Sequence, residues 1–176
     1  MLKNRTELAR YFNELGFKHG AEIGVLGGKY SVELCKAGMK VYCIDSWGIN
    51  EIRLHDYHLR KYEVAKIALD PYNAVLIRML SMDAVKNFKD DSLDFVFIDA
   101  NHRYGYVKND IIEWTKKVKK GGIVSGHDYL AIHGCDVKTA VDEYVKEHNI
   151  SLEITGCSLR SRDKDERVPC WYFFKK

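Results

Sequence analysis

Ionisable side chains stand in or directly after the apolar runs that are expected to form the strands of a central sheet. The positions concerned are Glu22, Asp45, Asp99, His127 and Asp128. Because parallel strands present their carboxyl ends at one edge of a sheet, these groups are expected to lie close together. Converging ionisable groups that no helix pattern explains indicate a binding or catalytic site.

A glycine-rich turn follows the first of these runs. Residues 21–31 read as a buried strand, the turn GVLGG and the start of a helix. Such a turn presents backbone N–H groups where ligands bind, with Gly24 allowing close approach and Gly27 or Gly28 supplying a positive φ. The spacing is not the G-x-G-x-x-G of dinucleotide sites, and Glu22 before it favours a cofactor with a positive amino group over a phosphate. A purely structural strand–helix turn is the alternative.

Asp45 directly follows the second apolar run, about 20 residues beyond Glu22, the offset expected of a ribose-binding acid. A carboxylate at the end of that strand can accept hydrogen bonds from both ribose hydroxyls. A turn residue that merely ends the strand is the alternative interpretation.

Apolar runs of strand length alternate with helical patterns along most of the chain. Strands are predicted at residues 21–25, 41–44, 74–79, 93–98, 123–125, 150–155 and 170–174. Alternation predicts parallel pairing through right-handed crossovers, whereas the last two strands, joined only by a loop, predict an antiparallel hairpin. The predicted fold is α/β: a Rossmann-like, doubly wound, seven-stranded sheet, mostly parallel, with an antiparallel C-terminal β-hairpin.

Helices are predicted from apolar residues at helical spacing and from capping residues. Asn4 is expected to cap the first helix. A later helix carries an apolar stripe from Val107 to Val118 and is expected to end at Gly121-Gly122. Asp136 is expected to cap the helix that follows it.

The composition is typical of one soluble globular domain. The chain has 176 residues, 46% apolar and 30% charged, so 1–176 is interpreted as a single domain. Residues 46–72, polar and aromatic, are interpreted as a variable loop and helix, the helix over residues 57–68, near the substrate. Five cysteines without a C-x-x-C pair, and no apolar signal or membrane-spanning run, predict a reduced, cytoplasmic protein.

The charge pattern does not indicate nucleic acid or a membrane as partner. The net charge is only +3. The lysines within residues 116–120 are expected to lie at a helix C-terminus, where cations are favourable. The mixed-charge residues 160–167 are interpreted as a solvated hairpin tip. A small-molecule substrate is therefore expected, and the sequence gives no prediction of the oligomeric state.

Four motifs in register resemble those of the class I S-adenosylmethionine-dependent methyltransferases. They are E-x-G-x-x-x-G from Glu22, Asp45 followed by Trp47, D-x-V-x-I-D-A-x-H-x-Y from Asp94, and G-G-I-x-x-G-H-D-Y from Gly121. Within that class, residues 22–129 are most similar to the small branch that includes macrocin-type and catechol-type O-methyltransferases.

The resemblance implies a site for S-adenosylmethionine. Glu22 would support the amino end of the methionine moiety, and Gly24 and Gly28 would let the backbone touch the cofactor. Asp45 would hold the ribose, and Asp99 would face the methionine end and the reacting centre. The implied cofactor-binding set is Glu22, Gly24, Gly28, Asp45, Ser46, Trp47, Ser81, Met82, Asp83 and Asp99. Trp47 is expected near the adenine or the substrate, and core filling is the alternative for Met82.

The resemblance also implies a metal site and a general base. Asp99, His127 and Asp128 match the positions that bind magnesium in catechol-type enzymes. His127 departs from that all-oxygen pattern: Mg²⁺ prefers oxygen, whereas Mn²⁺, Fe²⁺ or Zn²⁺ accepts imidazole. A His127–Asp128 pair that orients the substrate by hydrogen bonds is the alternative. His102 matches a lysine base, with a loop histidine that shapes the site as its alternative.

The predicted function is methyl transfer from S-adenosylmethionine to a hydroxyl of a small molecule such as a sugar or natural product. Asp99, Asp128 and His102 are the predicted catalytic residues, with or without a divalent metal such as Mg²⁺ or Mn²⁺. A nicotinamide-dependent dehydrogenase and a non-catalytic cofactor-binding module are the alternatives.

Overall fold

The structure is a computed structural model that describes residues 2–49, 54–157 and 167–176. Its helices are α1 (Arg5–Glu14), α2 (Lys29–Lys36), α3 (His55–Leu69), α4 (Ser81–Ala84), α5 (Tyr104–Lys117) and α6 (Val137–Glu147), with a 3₁₀ turn at Val85–Asn87. Its strands are β1 (His19–Ile23), β2 (Lys40–Asp45), β3 (Ala74–Arg78), β4 (Leu93–Ile98), β5 (Val118–Gly126), β6 (Glu153–Ile154) and β7 (Trp171–Phe174). Most of the stretch 160–167 lies outside the described residues.

The seven strands form one sheet in the order β3-β2-β1-β4-β5-β7-β6. Strands β1 to β5 pair in parallel, and β7 is antiparallel to both β5 and β6. The predicted fold class is confirmed, including the antiparallel hairpin at the C-terminus. The chain order reverses between β1 and β4, and an open α/β sheet binds its ligand at such a switch point.

Helices cover both faces of the sheet. Phe12 of α1 and Leu34 of α2 pack on one face against Phe95 of β4. On the opposite face, Trp114 of α5 and Tyr144 of α6 belong to the second core cluster. Burial on both faces explains why the central strands are almost continuously apolar rather than alternating.

Several element boundaries differ from the predictions, and β6 covers only Glu153–Ile154 of the predicted 150–155. Strand β1 begins at His19 and ends at Ile23, so the glycine turn starts earlier than predicted. Helix α5 ends at Lys117, and Gly121-Gly122 lie within β5 instead of ending the helix. An irregular register between β4 and β5, around Leu93, accommodates them.

The first helix begins as predicted, because the Asn4 side chain accepts a hydrogen bond from the Glu7 N–H at 3.0 Å. Asp136 behaves differently and makes no side-chain cap to α6. Its carboxylate instead accepts a bond from the N–H of Tyr104, the first residue of α5, at 3.3 Å. Asp136 therefore joins the loop after β5 to the start of the helix after β4.

No helix in the described parts of the chain combines the length and the apolar character that a membrane span requires.

Candidate active site

A cavity of about 1020 Å³ opens at the carboxyl edge of the parallel strands. The predicted site residues that line it are Glu22, Gly24, Asp45, Ser46, Ser81, Asp99, His102, His127 and Asp128. Predicted cofactor-binding residues that do not line it are Gly28, Trp47, Met82 and Asp83. The carboxylates at the carboxyl ends of β1, β2, β4 and β5 thus line one cavity, as the strand pattern predicted.

Asp45 holds the glycine turn while it lines the cavity. Its Oδ2 accepts hydrogen bonds from the N–H groups of Val25 and Leu26 at 2.9 and 2.8 Å, and its Oδ1 accepts one from Trp47 N–H at 2.7 Å. Leu26 has a φ of +49°, a left-handed conformation that is costly without glycine. The carboxylate offsets that cost and keeps lone pairs for a ribose.

Trp47 has a structural role, and its place beside the adenine or the substrate stays a prediction. Its ring is fully buried, packs at a tilt of 44° against Tyr62 with centroids 4.7 Å apart, and donates from Nε1 to the Leu26 carbonyl at 2.8 Å. The sequence position next to Asp45 is right, but the large apolar ring is buried beneath the turn.

The two glycines of the motif have different structural roles. Gly24 lines the cavity with a φ of +92°, and a Cβ there would lie 2.0 Å from the Asp99 carbonyl oxygen. Gly28 begins α2 with a φ of +82° and packs against Leu69, away from the cavity. Gly24 therefore allows β1 and β4 to approach, and Gly28 supplies the left-handed turn instead of a cofactor contact.

Glu22 is buried at the cavity floor and accepts a hydrogen bond from the Ser31 hydroxyl. Burial raises the pKa of Glu22 to about 8, a shift that the Ser31 bond opposes and the charge of Asp99 reinforces. The protonated form therefore predominates at pH 7, and a cationic ligand group would favour the ionised form.

Ser81 is the only member of the Ser81-Met82-Asp83 stretch that lines the cavity. Met82 is half-buried and packs against the core on the α5 face, the alternative interpretation given for it. Asp83 is exposed and pairs with Lys86 at 2.7 Å. The side chains of these two residues do not line the cavity, and their cofactor contacts stay predictions.

His102 lies between two carboxylates. Its Nε2 is 3.2 Å from Asp128 Oδ2 and 3.5 Å from Asp99 Oδ1. The hydrogen bond with Asp99 raises the pKa of His102, burial opposes the rise, and the charge of Asp128 adds to it. Burial alone would raise the pKa of Asp128, but its bond with His127 and the charges of both histidines lower it.

The metal-ligand set differs from the prediction at one residue. One ligand atom from each of Asp99, His102 and Asp128 lies within 4.8 Å of the others. The predicted His127 is buried behind them, with Nδ1 3.3 Å from Asp128 Oδ1 and 3.9 Å from Asp99 Oδ2. Two carboxylates and an imidazole are donors that fit Mn²⁺, Fe²⁺ or Zn²⁺ better than Mg²⁺.

Two buried charged residues of the cavity were missed in the sequence. Arg5 of α1 is buried over the Tyr30 ring, 5.3 Å from its centroid, and its charge lowers the pKa of Glu22 and Asp128. Asp110 of α5 lines the opposite end. Each shares a helical face with buried apolar residues, a spacing that could have revealed both.

Part of the segment 46–72 borders the cavity through His58, Lys61 and Val64 of α3. The helix runs over His55–Leu69, close to the predicted 57–68. Residues 50–53 of this segment lie outside the described residues. The role of the segment in substrate choice stays a prediction.

Comparison with known proteins identifies the family. A family model described as a methyltransferase domain matches residues 21–129, which include the cavity residues from Glu22 to Asp128. A search of curated proteins found no relative.

Several solved structures share the fold. An O-methyltransferase from Bacillus cereus in complex with SAH has a TM-score of 0.71 and 16% identity, over 97% of this chain and 80% of that chain. TomG, an O-methyltransferase from Streptomyces achromogenes in complex with SAM, has a TM-score of 0.71 and 14% identity, over 98% and 80%. An rRNA methylase from Streptococcus thermophilus has a TM-score of 0.68 and 15% identity, over 99% and 98%.

At 14 to 16% sequence identity, these solved structures show only that the fold is shared. The family match, which covers most of the chain, distinguishes between the enzyme classes considered in the sequence analysis. The match favours the methyltransferase over the dehydrogenase. The chain belongs to the methyltransferase-domain family, which confirms the prediction of a class I S-adenosylmethionine-dependent methyltransferase.

Proposed function

We propose that the protein transfers a methyl group from S-adenosylmethionine to a hydroxyl oxygen of a small molecule. The observation that carries the proposal is the position of His102 between Asp99 and Asp128 in the same cavity as Glu22 and Asp45. A scaffold without catalysis has no use for a histidine held between two carboxylates at a ligand cavity.

The residues present fit S-adenosylmethionine. Glu22 would bind the methionine ammonium, Asp45 would accept from the ribose hydroxyls, and Gly24 would leave room for the chain between them. The bound cofactor supplies an electrophilic methyl carbon on a sulfonium sulfur. Asp99, at the end of β4, lies beside both this end of the cavity and His102.

His102 is proposed as the general base. Methylation of a hydroxyl oxygen leaves that oxygen with a proton to lose, and this proton would pass to the neutral imidazole of His102. Asp99 and Asp128 orient the ring and stabilise the imidazolium that results. Positioning and exclusion of water supply most of the remaining acceleration.

The same residues also suit a divalent cation, which gives a second form of the proposed mechanism. Asp99 and Asp128 would hold it, and a bound cation would lower the pKa of a substrate hydroxyl. His102 cannot ligate a cation through Nε2 and accept the proton on the same atom, so the two roles exclude one another. Activity that survives a chelator supports the base, and activity lost to the chelator and restored by Mn²⁺ supports the cation.

The ion pairs made by the lysine cluster favour a small-molecule methyl acceptor over nucleic acid. Within the lysine cluster, Lys116 pairs with Glu113, Lys117 with Asp90, and Lys119 with Asp94, at 2.6 to 2.7 Å. A surface whose cations are neutralised in this way is a weak phosphate-binding patch. The names of the Bacillus cereus and Streptomyces achromogenes relatives support oxygen as the acceptor atom, and the rRNA methylase is the competing case.

Calorimetric binding of S-adenosylhomocysteine tests the cofactor. No binding at millimolar concentration would contradict the proposal. With an accepted substrate, His102→Ala should lower kcat by at least about a hundredfold. The exposed His133→Ala is the control and should retain full activity, since His133 does not line the cavity.

The pH profile tests the base role of His102 independently. The neutral imidazole is the active form, so kcat/KM should rise with pH through a pKa above 6.5, because Asp99 raises the pKa of His102. In Asp99→Asn, the rise of kcat/KM should occur at lower pH, because the carboxylate that raises the pKa of His102 is gone. The maximal kcat/KM at high pH should also be lower. A rise that stays at the same pH would assign the proton to another group.

A further inference from the structure

Asp110 is a buried carboxylate that the proposed function leaves without a role. It lies on α5, is only 4% exposed, and lines the cavity near the end of β3. Burying a carboxylate is costly unless hydrogen bonds compensate for lost water. A carboxylate that is kept at this cost and faces the cavity indicates a role in ligand binding.

Ser81 fixes the orientation of this carboxylate. The Ser81 hydroxyl donates to Asp110 Oδ1 and accepts a bond from Trp114 Nε1 at 2.8 Å. Its single proton is already committed to Asp110, so Ser81 has no donor left for a ligand. No described residue donates to the second oxygen, Oδ2, so Asp110 presents a hydrogen-bond acceptor to the cavity.

The ionisation state of Asp110 supports an acceptor role. Burial raises the pKa of Asp110 to about 6, and the bond from Ser81 opposes the rise. At pH 7 to 8 the ionised carboxylate predominates, and an ionised carboxylate can only accept hydrogen bonds.

The position within the sheet indicates which part of the cofactor Asp110 meets. Asp45 ends β2, and the next strand outward is β3, followed by Met79, Leu80 and Ser81 along the same cavity. A ribose bound by Asp45, with its methionine end toward β1 and β4, directs the base toward β3. Met79 and Leu80 supply apolar surface there for a flat ring.

We propose that Asp110, oriented by Ser81, accepts a hydrogen bond from the exocyclic amine of the adenine and selects a 6-amino purine over a 6-oxo purine. This inference rests on the proposed function, because it assumes that an adenine nucleoside occupies the cavity. A 6-oxo group would place a carbonyl oxygen against the carboxylate, so the hydrogen bond from position 6 to Asp110 would be lost.

Calorimetry with two ligands tests the inference without any turnover. S-adenosylhomocysteine carries a 6-amino group and an N1 acceptor, whereas S-inosylhomocysteine carries a 6-oxo group and an N1–H and is otherwise the same molecule. Wild-type protein should prefer the amine by at least about tenfold in Kd. Asp110→Asn, whose amide can donate to a carbonyl, should reduce the preference to within about twofold. Glu113→Gln, a carboxylate-to-amide change on the same helix where Glu113 pairs with Lys116 outside the cavity, is the control and should keep the full preference.

Each outcome has one meaning. Equal binding of the two ligands by the wild type, or an unchanged preference in Asp110→Asn, would overturn the inference and leave the proposed function standing. Absence of S-adenosylhomocysteine binding by the wild type would overturn the proposed function and the inference with it. If Asp110→Asn does not fold, Ser81→Ala replaces it: a reduced preference supports the inference and a full preference overturns it.

Discussion

The protonation state of Glu22 affects how it can bind the methionine ammonium group. The sequence assigns it to the methionine ammonium as a carboxylate, yet burial raises the pKa of Glu22 to about 8 in the protein without ligand. At pH 7 roughly nine in ten molecules therefore carry a neutral Glu22. An ammonium group beside it favours the carboxylate, so binding and deprotonation of Glu22 are coupled.

This coupling predicts that S-adenosylhomocysteine binding releases a proton from Glu22. The neutral thioether is the suitable ligand because it adds no sulfonium charge near His102. At pH 7 the protein should release between about 0.5 and 1 proton, and the release should disappear above about pH 9. Calorimetry in buffers of different ionisation enthalpy measures the number of protons.

Two variants make this measurement specific. Glu22→Gln should bind more weakly and show no proton release at pH 7. Glu33→Gln, on the exposed side of α2 where Glu33 pairs with Lys36, should behave as the wild type. Equal proton release in Glu22→Gln and wild type would assign the proton to a different group.

At the same scale, the sequence identifies the residues that end strands and misses those that reach the cavity from helices. Asp45, Asp99 and Asp128 are recognisable because an acid directly after an apolar run points to the ligand-binding edge. Asp110 resembles any polar residue of a helix, although its spacing from Val107 and Trp114 places it on the buried face. The buried side chain of Trp47 and the half-buried one of Met82 have a common cause: a motif gives a place along the chain, whereas core packing decides where a large side chain points.

Among the elements, the loop between β4 and α5 is the one that carries His102. Asp136 bonds to this loop twice: its N–H donates to the His102 carbonyl at 2.8 Å, and its carboxylate accepts from Tyr104 N–H at 3.3 Å. The loop after β5, which contains Asp128, is thus joined to the loop that carries the proposed base. The side chain of Asp136 positions His102 without touching a substrate.

Removal of this contact should impair turnover more than cofactor binding. Asp136→Ala leaves the Tyr104 N–H without its acceptor, which should cost about 0.5–2 kcal/mol of stability, the usual cost of losing a helix cap. We expect kcat to fall about three- to tenfold as His102 loses its orientation, with S-adenosylhomocysteine affinity within about twofold of wild type.

Asp136→Asn is the matched control, because its amide oxygen can still accept from Tyr104 N–H, and it should retain most of the activity. Steady-state kinetics, calorimetry and urea unfolding separate the three effects. A parallel loss of affinity and turnover would show that Asp136 supports the whole cavity and not His102 in particular.

The elements themselves were predictable where local chemistry decides them. Apolar runs gave the central strands to within a few residues, and Asn4 capped α1 as expected. The end of α5 was wrong because Gly121-Gly122 looks like a helix stop, whereas pairing of β5 with β4 begins at Val118. Strand pairing depends on a partner distant in the chain, and no local signal reports it.

For the molecule as a whole, the central contact is that between β1 and β4. Gly24 and Asp99 lie at the tips of these neighbouring strands, and a Cβ at Gly24 would come within 2.0 Å of the Asp99 carbonyl oxygen. The left-handed φ of Gly24 adds a second reason for glycine. This contact joins the cofactor-binding strand to the catalytic strand through the main chain.

Gly24→Ala should therefore destabilise the fold by about 2–4 kcal/mol, through overpacking and a strained φ, and should abolish cofactor binding. Gly105→Ala is the matched control, since Gly105 lies in α5, where an added Cβ would meet nothing within 4 Å, and the variant should gain up to about 1 kcal/mol. Urea unfolding measures both changes. Equal stability of the two variants would contradict the proposed strand contact.

The close fit of Gly24 against the Asp99 backbone has a consequence for how the enzyme can acquire new substrates. The spacing of the β1 and β4 ends is set by main-chain atoms that tolerate almost no adjustment, whereas Leu26, Val64 and Tyr106 form a more exposed outer wall. Directed evolution confined to that wall should exchange one acceptor alcohol for another while the transfer chemistry carries over intact.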